Sequence, residues 1–129
     1  MYRILIIEDD PVMQKLLRDT LRPEGHEVDI CGQGSAGLLR AAQDKPDLIL
    51  LDINLPDTSG MDVCRTLKAD ERHKHIPIIM MTGEAREVAQ KIEGLDLGAE
   101  EYLLKPISPR VLVSRVRSIL QIATKPINQ

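Results

Sequence analysis

Five short apolar runs recur along the chain, each bounded by glycine, proline or acidic residues. Runs of this length predict β-strands, and the absence of polar alternation predicts strands covered on both faces, as parallel strands between helices are. The runs are residues 3–7, 28–31, 48–51, 76–81 and 102–104. The pattern therefore predicts five buried strands in a parallel sheet.

Segments with the apolar spacing of helices alternate with these runs. Asp10 as N-cap and Pro11 at the first helical position mark the start of the first segment. Gly94 interrupts the fourth segment, which is the least regular. The predicted helices cover about residues 11–21, 35–43, 60–69, 84–97 and 108–120. This alternation predicts an α/β protein with a doubly wound sheet, whose ligand site lies at the carboxyl ends of the strands.

The apolar positions of the helices also predict which helical faces cover the sheet. The predicted packing positions are Val12, Leu16 and Leu17 in the first helix, Leu38, Leu39 and Ala42 in the second, and Met61, Cys64 and Leu67 in the third.

Length and composition fit one domain, because 129 residues with 43% hydrophobic content can bury a sizeable core. We assign residues 1–123 to this domain, and residues 124–129 to a C-terminal tail or the start of a linker to an output domain. The chain has neither a signal sequence nor an apolar run long enough for a membrane span, so a cytoplasmic protein is expected. Cys31 and Cys64 lie in apolar surroundings and are expected to be reduced and packed.

Charge and aromatic content argue against direct nucleic-acid binding by this domain. The chain has 17 basic and 20 acidic residues, a net charge of −3, so it offers no general attraction to phosphates. With two Tyr and no Phe or Trp, it also lacks aromatic platforms on which bases could stack.

Carboxylates follow the first and third predicted strands. Glu8, Asp9 and Asp10 come directly after the first strand, and Asp52 ends the third, so the fold brings them into one crevice. Each like-charge pair at ~4 Å costs roughly 4 kcal/mol at an effective dielectric of ~20. Such a cluster needs a cation or shifted pKa values, and its oxygen ligands suit Mg²⁺. Asp10 has a second explanation as the helix cap.

A hydroxyl and an ammonium group are predicted at the same edge of the sheet. Thr82 closes the fourth strand and Lys105 follows the fifth. Singly, each is an ordinary strand-end residue. Together with Asp52 they match phosphoryl transfer, in which a carboxylate is the nucleophile while a cation and a hydroxyl stabilise the phosphoryl oxygens.

Motifs at all of these strand ends are similar to those of receiver domains of two-component response regulators, and the resemblance covers residues 2 to about 122. The motifs are Glu8-Asp9-Asp10, Leu51-Asp52-Ile53-Asn54-Leu55-Pro56 with Gly60, Met81-Thr82-Gly83, Gly98-Ala99-Glu100-Glu101-Tyr102 and Lys105-Pro106. The resemblance implies a flavodoxin-like (βα)5 fold with strand order 2-1-3-4-5. It also implies a phosphorylation-dependent signalling switch, which is a regulatory phosphoacceptor and not an enzyme, although it phosphorylates itself from small donors and dephosphorylates itself.

The resemblance implies a role for each acidic residue of the site. Asp52 would be the phosphoacceptor, and Mg²⁺ would be bound by the side chains of Asp9 and Asp52 and by the backbone carbonyl of Asn54. Glu8 stands where the family often has Asp, and it would reach the metal through a water molecule.

The resemblance also implies the parts of the switch. Lys105 would contact the phosphoryl group and precede a cis peptide bond to Pro106, Thr82 would move toward the phosphoryl oxygens, and Tyr102 would turn inward. Asn54 and Glu84 would set the phosphoryl lifetime by orienting an attacking water, although Glu84 has a second explanation in the first turn of a helix.

Partners follow from the same resemblance. The phosphoryl donor would be a sensor histidine kinase or a phosphotransfer protein, since the positions of His26, His73 and His75 do not suit a donor. We expect His73 and His75 to lie in a solvated loop. An output domain or docking protein would bind the face formed by the fourth helix, the fifth strand and the fifth helix.

A phosphorylation-dependent homodimer is also compatible with the resemblance. Glu101 and Arg115 resemble an ion pair of the dimerising face of transcription-factor receivers, but Val111 and Glu87 depart from that network. Ile107 replaces a common Phe under the same face.

Other classes of function share this architecture. A pseudo-receiver would use the scaffold for docking without phosphorylation, which the complete set of site residues argues against. A flavodoxin-like cofactor binder would need phosphate-cradling loops, and a metal-dependent phosphohydrolase would need a general acid and a substrate cap.

Overall fold

The computed structural model describes residues 2–83 and 97–124, and its five strands form one parallel sheet. The strands are β1 (Arg3–Ile7), β2 (Glu27–Cys31), β3 (Leu48–Asp52), β4 (Ile78–Thr82) and β5 (Glu101–Leu104). Their order is β2-β1-β3-β4-β5, and every neighbouring pair is parallel. The predicted doubly wound, flavodoxin-like sheet is therefore confirmed.

Helices lie between most of the strands and after the last one. They are α1 (Pro11–Leu21), a short 3₁₀ turn (Arg22–Glu24), α2 (Gly34–Asp44), α3 (Gly60–Ala69) and α4 (Pro109–Thr124). The helix predicted over residues 84–97 falls outside the described residues as far as residue 96, and Leu97 lies in a turn. The label α4 is therefore used here for the C-terminal helix.

The sheet separates two apolar layers. One face packs residues such as Leu5, Ile49 and Met80 under α2 and α3. The opposite face packs residues such as Ile4 and Leu50 with the inner sides of α1 and α4. Every residue of β3 and β4 is buried, which explains why these strands show no polar alternation.

Helix α1 begins as predicted, but its packing face differs from the prediction. The side chain of Asp10 caps the helix by accepting the N–H of Val12. Val12 is 77% exposed, whereas Leu17 and Leu21 are fully buried. The assignment of Val12 to the core was wrong because this residue lies in the first turn, beyond the edge of the sheet.

Helix α2 also covers the sheet with a different face from the one predicted. Leu39 is 61% exposed and Ala42 is exposed, while Gly37 lies against the sheet. A Cβ atom at Gly37 would overlap the side chain of Ile7. The helix therefore approaches β1 through its smallest residues, which a pattern of large apolar side chains does not reveal. Leu38 packs at the edge of this layer, as predicted.

Two local details of the sequence analysis are corrected in the segment before β4. The strand begins at Ile78 and not at Ile76, because Pro77 has no N–H; its carbonyl accepts the N–H of Ile49 at 3.0 Å. His73 is 6% exposed and its Nδ1 lies 3.4 Å from Asp70, so the solvated position expected for His73 was wrong. His75 is exposed, as expected.

Other expectations are confirmed. Cys31 and Cys64 are free and buried, Met61, Cys64 and Leu67 form the packing face of α3, and the Lys105–Pro106 peptide is cis. Within residues 2–83 and 97–124, none of the helices has the length and apolar content needed to cross a membrane.

Candidate functional site

Residues from the ends of β1 and β3 meet at the carboxyl edge of the sheet. Glu8 and Asp9 directly follow β1, and Asp52 is the last residue of β3. One carboxylate oxygen from each of the three lies within 4.8 Å of the others. Glu8 is fully buried and Asp52 is 4% exposed, while Asp9 faces solvent. The predicted acidic crevice is therefore present, with two of its carboxylates buried.

Lys105 directly follows β5 and supplies a positive charge to this crevice. Its Nζ lies 2.6 Å from Oε1 of Glu8 and 3.5 Å from Oδ2 of Asp52. Burial lowers the pKa of Lys105, but the hydrogen bond to Glu8 and the charges of Asp52 and Glu8 outweigh it, so the pKa is raised overall. The ammonium group therefore stays protonated at neutral pH.

Both carboxylate oxygens of Glu8 are engaged within the protein. Oε1 accepts from Lys105, and Oε2 accepts the N–H of Asp10 at 3.1 Å. Burial raises the pKa of Glu8 and the charge of Asp52 raises it further, against the opposing effect of Lys105 and the Asp10 N–H. The direct Glu8–Lys105 pair was missed by sequence reasoning, although the extra methylene of Glu relative to Asp was a signal of longer reach.

The backbone around Asp52 is tightly held. The N–H of Asn54 donates to Oδ1 of Asp52 at 3.3 Å, and the N–H of Gly60 donates to the carbonyl of Ile53 at 2.7 Å. A Cβ atom at Gly60 would overlap the backbone carbonyl oxygen of Asp52. Only glycine at position 60 allows α3 to start this close to the end of β3.

A cleft of about 680 Å³ opens beside the acidic crevice. Asp9 lines one side, and residues 53–59, the loop between β3 and α3, line the other. Asn54 is exposed and lies in this loop, so it lines the same cleft as Asp9. The loop also contains Asp57, which sequence reasoning missed and whose carboxylate contacts the start of α2.

Thr82 lies on β4, the neighbour of the strand that ends in Asp52, and Tyr102 lies on β5, the next strand beyond β4. Thr82 is fully buried at the end of β4, and its carbonyl accepts the N–H of Lys105 at 2.7 Å, which fixes Lys105 beside it. Tyr102 is 4% exposed, so its ring occupies an inward position. Glu84 and Glu87 lie outside the described residues.

Residues of the predicted dimerising face are present on β5 and α4. Arg115 lies 3.5 Å from Glu101, with both side chains partly exposed. Val111 is 43% exposed and Ile107 is buried. The ion pair suggested by the resemblance is therefore formed, while Glu87, the other position of this network, lies outside the described residues.

The donor set of the crevice fits a hard divalent cation. Three carboxylates face one ammonium group, which leaves excess negative charge in a largely buried place. Oxygen ligands of this kind, with one carboxylate open to solvent, are those that Mg²⁺ uses when it also keeps water molecules. The arrangement can therefore hold a cation beside the Asp52 carboxylate and present that carboxylate to an incoming phosphoryl group.

Similar proteins were found by sequence. Residues 4–117 match the family model described as response regulator receiver domain. The chain is 41% identical over 119 residues to the DNA-binding response regulator MtrA of Mycolicibacterium smegmatis, which covers 92% of this chain and 50% of that protein. The chain thus spans about half the length of the curated relatives it matches.

Solved structures agree with this assignment. A CheY-like response regulator receiver domain protein from Methanospirillum hungatei superposes with a TM-score of 0.89 at 32% identity, over 97% of this chain and 98% of that one. The BeF3-activated N-terminal receiver domain of RstA from Klebsiella pneumoniae gives a TM-score of 0.84 at 34% identity, over 92% and 98%. The chain therefore belongs to the response regulator receiver domains, whose general function is that of a phosphorylation-dependent switch in two-component signalling.

Proposed function

We propose that Asp52 is the phosphoacceptor of this receiver domain and that Mg²⁺ is its cofactor. The observation that carries the proposal is the position of the Asp52 carboxylate. It ends a buried strand at the sheet edge, 3.5 Å from the Lys105 ammonium and within 4.8 Å of carboxylate oxygens of Glu8 and Asp9. A nucleophilic carboxylate beside fixed positive charge and a cation site is the arrangement that phosphoryl transfer requires.

In the proposed reaction, an oxygen of Asp52 bonds to the phosphorus of a phosphohistidine. The P–N bond breaks, and the imidazole leaves and takes up a proton. The donor would be a sensor histidine kinase or a phosphotransfer protein. Lys105 and the hydroxyl of Thr82 stabilise the phosphoryl oxygens by charge and by hydrogen bonding.

The cation would be held by the side chains of Asp9 and Asp52 and by the backbone carbonyl of Asn54. When bound, Mg²⁺ supplies positive charge that offsets the phosphoryl oxygens. Glu8 contributes through a water molecule, because both of its oxygens already accept hydrogen bonds from Lys105 and Asp10.

Switching then depends on more than one contact. Moving the equilibrium between the active and inactive states from 1:99 to 99:1 requires a difference in free energy of about 5.5 kcal/mol. One charge-assisted hydrogen bond from Thr82 or Lys105 supplies about 1.5 to 3 kcal/mol. We therefore assign the remainder to further contacts at the phosphoryl group and to binding of a partner or a second copy of the domain.

Output would pass through the face that the sequence predicts for its fourth helix, β5 and α4; residues 84–96 of that helix lie outside the described part of the chain. Relatives named as DNA-binding regulators are about twice the length of this chain, which supports control of an output domain. A separate docking protein would serve the same purpose. Asn54 and Glu84 would orient a water for hydrolysis of the acyl phosphate, which favours comparatively fast self-dephosphorylation.

The proposal is tested by incubating the protein with acetyl phosphate and Mg²⁺ and measuring its intact mass. We expect the mass of one phosphoryl group to be added, and we expect this addition to be lost in Asp52→Asn and without Mg²⁺. Absence of the addition, together with failure to bind beryllofluoride, would contradict the proposal and favour a docking-only receiver. A phosphoryl lifetime of many hours would contradict the roles of Asn54 and Glu84.

A further inference from the structure

Asp57 lies in the loop between β3 and α3, yet its carboxylate caps a different helix. Oδ1 accepts the N–H of Gly34 at 2.8 Å, and Oδ2 accepts the N–H of Ser35 at 3.0 Å. Gln33, at the N-cap position of α2, makes no capping hydrogen bond with its side chain. Asp57 therefore supplies, from a distant part of the chain, the cap that α2 lacks locally.

The charge of Asp57 strengthens this contact. A carboxylate at a helix N-terminus interacts favourably with the unpaired N–H groups and the helix dipole. The N–H groups of Ser35 and Gly34 hold the pKa of the Asp57 carboxyl below its usual value. The side chain is therefore ionised at neutral pH, and both hydrogen bonds have a charged acceptor.

Packing beneath the cap brings the loop and α2 into close contact. Gly34 has no side chain, and a Cβ atom there would overlap the methyl group of Thr58 and lie 2.9 Å from Cγ2 of Val63. The tip of the loop is thus tied to α2 by two hydrogen bonds and by direct apolar contact.

The base of the same loop reaches the candidate phosphorylation site. Asn54 donates its N–H to Asp52 and forms an isolated bridge with Ser59 across the loop. The loop is one wall of the cleft whose opposite wall includes Asp9. One loop thus joins the start of α2, through Asp57, to the candidate site, through Asn54.

We propose that Asp57 is a positioning residue for the cation and phosphoryl site. By tying the loop to α2, it sets where the backbone carbonyl of Asn54 lies relative to Asp9. This inference rests on the proposed function, in which these two residues hold Mg²⁺. Because coupling between two sites is reciprocal, Mg²⁺ at the sheet edge should in turn stabilise the first turn of α2.

Three variants separate positioning from general stabilisation. Asp57→Ala removes both capping hydrogen bonds, and Asp57→Asn keeps one uncharged acceptor. Asp47→Ala is the matched control, because Oδ2 of Asp47 likewise accepts a backbone N–H, that of Arg3 at 2.8 Å, but near the opposite edge of the sheet. Mg²⁺ affinity is measured by titration calorimetry and thermal stability by calorimetric scanning.

Amide hydrogen exchange at Gly37 provides a readout that does not depend on activity. This N–H bonds to the carbonyl of Gln33 within the first turn of α2, so none of the substitutions removes its partner. In the wild-type protein Mg²⁺ should slow exchange at Gly37. In Asp57→Ala this response to Mg²⁺ should disappear.

The affinity for Mg²⁺ should fall as the cap that Asp57 provides to α2 is weakened. Asp57→Ala should bind Mg²⁺ about fivefold more weakly, less than the roughly 10- to 100-fold loss typical for a residue that directly orients a metal ligand. Asp57→Asn should lie between Asp57→Ala and the wild type. Asp47→Ala should keep the wild-type affinity for Mg²⁺, even if its melting temperature falls as far as that of Asp57→Ala.

Failure of this inference can be distinguished from failure of the proposed function. A wild-type protein that takes up phosphoryl with Mg²⁺, together with an Asp57→Ala variant of unchanged Mg²⁺ affinity, would overturn the positioning role and leave the phosphoacceptor. An equal loss of affinity in Asp47→Ala would do the same. A wild-type protein that neither binds Mg²⁺ nor takes up phosphoryl would overturn both.

Discussion

At the scale of single residues, the site depends on the contact between Glu8, which is fully buried, and Lys105. Glu8 and Lys105 directly follow the first and fifth strands and Asp52 ends the third, so all three lie at one edge of the sheet. The 2.6 Å contact between Glu8 and Lys105 depends on side-chain reach, which strand order does not determine. The structure therefore gives Lys105 a resting partner in addition to its proposed phosphoryl contact.

Replacing Lys105 should destabilise the protein, because Glu8 would remain buried without its counter-charge. We expect Lys105→Ala to lower the free energy of unfolding by about 2 to 3 kcal/mol, near the lower end for a broken buried pair, since Lys105 is 20% exposed. Urea unfolding measures this loss, and added Mg²⁺ should recover part of it.

The matched control for this prediction is Lys15→Ala. Lys15 pairs with Asp19 on the exposed surface of α1, and such pairs contribute about 0 to 1 kcal/mol. An equal decrease in the free energy of unfolding in Lys105→Ala and Lys15→Ala would show that the Glu8–Lys105 pair stabilises the protein no more than an exposed ion pair does.

Gly60 gives a second test at this scale. In Gly60→Ala the new methyl group would overlap the carbonyl of Asp52, and the backbone of both residues must shift. We expect a loss of about 1 to 3 kcal/mol, as for other overpacked sites, together with slower phosphorylation from acetyl phosphate. In the control Gly32→Ala, the added Cβ would have its nearest neighbour at 4.0 Å. A Gly60→Ala variant as stable and as reactive as Gly32→Ala would contradict the close packing described.

At the scale of elements, strand positions were predictable and helix faces were less so. Strand runs are short and apolar throughout, so their type and ends could be read with errors of one or two residues. The packing face of α2 could not be predicted in this way. The helix contacts Ile7 through Gly37, and this close contact is possible only because glycine has no side chain. The cap of α2 by Asp57 escaped prediction for a related reason, since it joins residues far apart in sequence.

A second link between elements joins α3 to the starts of β4 and β5. Lys68 Nζ donates to Glu100 at 2.7 Å and to the carbonyl of Ile76 at 2.9 Å, and Glu100 also accepts the N–H of Ile78 at 2.7 Å. Lys68 is largely buried, with 14% of its side chain exposed. This network holds the edge of the sheet opposite the candidate site.

Removing Glu100 should therefore cost stability without altering the site. We expect Glu100→Ala to lower the free energy of unfolding by about 1 to 2 kcal/mol, since hydrogen bonds to a charged group are lost. Phosphorylation from acetyl phosphate should keep its wild-type rate at temperatures well below unfolding. The control is Glu71→Ala, which breaks an exposed pair with Lys74. A loss no larger than in Glu71→Ala would contradict the role of the network.

At the scale of the whole molecule, the fold divides the chain into a site edge and an opposite, structural edge. Strand order and the residues of the site edge were predictable because parallel strands bring their carboxyl ends together, whatever the detailed packing. The contacts between residues far apart in sequence could be found only in the structure. Examples are the contact of Glu8 with Lys105 and that of Asp57 with α2. The proposed switch relies on both, since the reacting groups lie on strand ends and their spacing is set by these contacts.

We propose above all that the phosphoryl group resides on Asp52. The position is tested by phosphorylating the protein with acetyl phosphate and Mg²⁺, reducing the acyl phosphate with borohydride, and mapping the modified residue by peptide mass spectrometry. We expect conversion of Asp52 to homoserine, with Asp9 unmodified and no conversion in Asp52→Asn. Homoserine at Asp9 or another acid, with Asp52 intact, would contradict it.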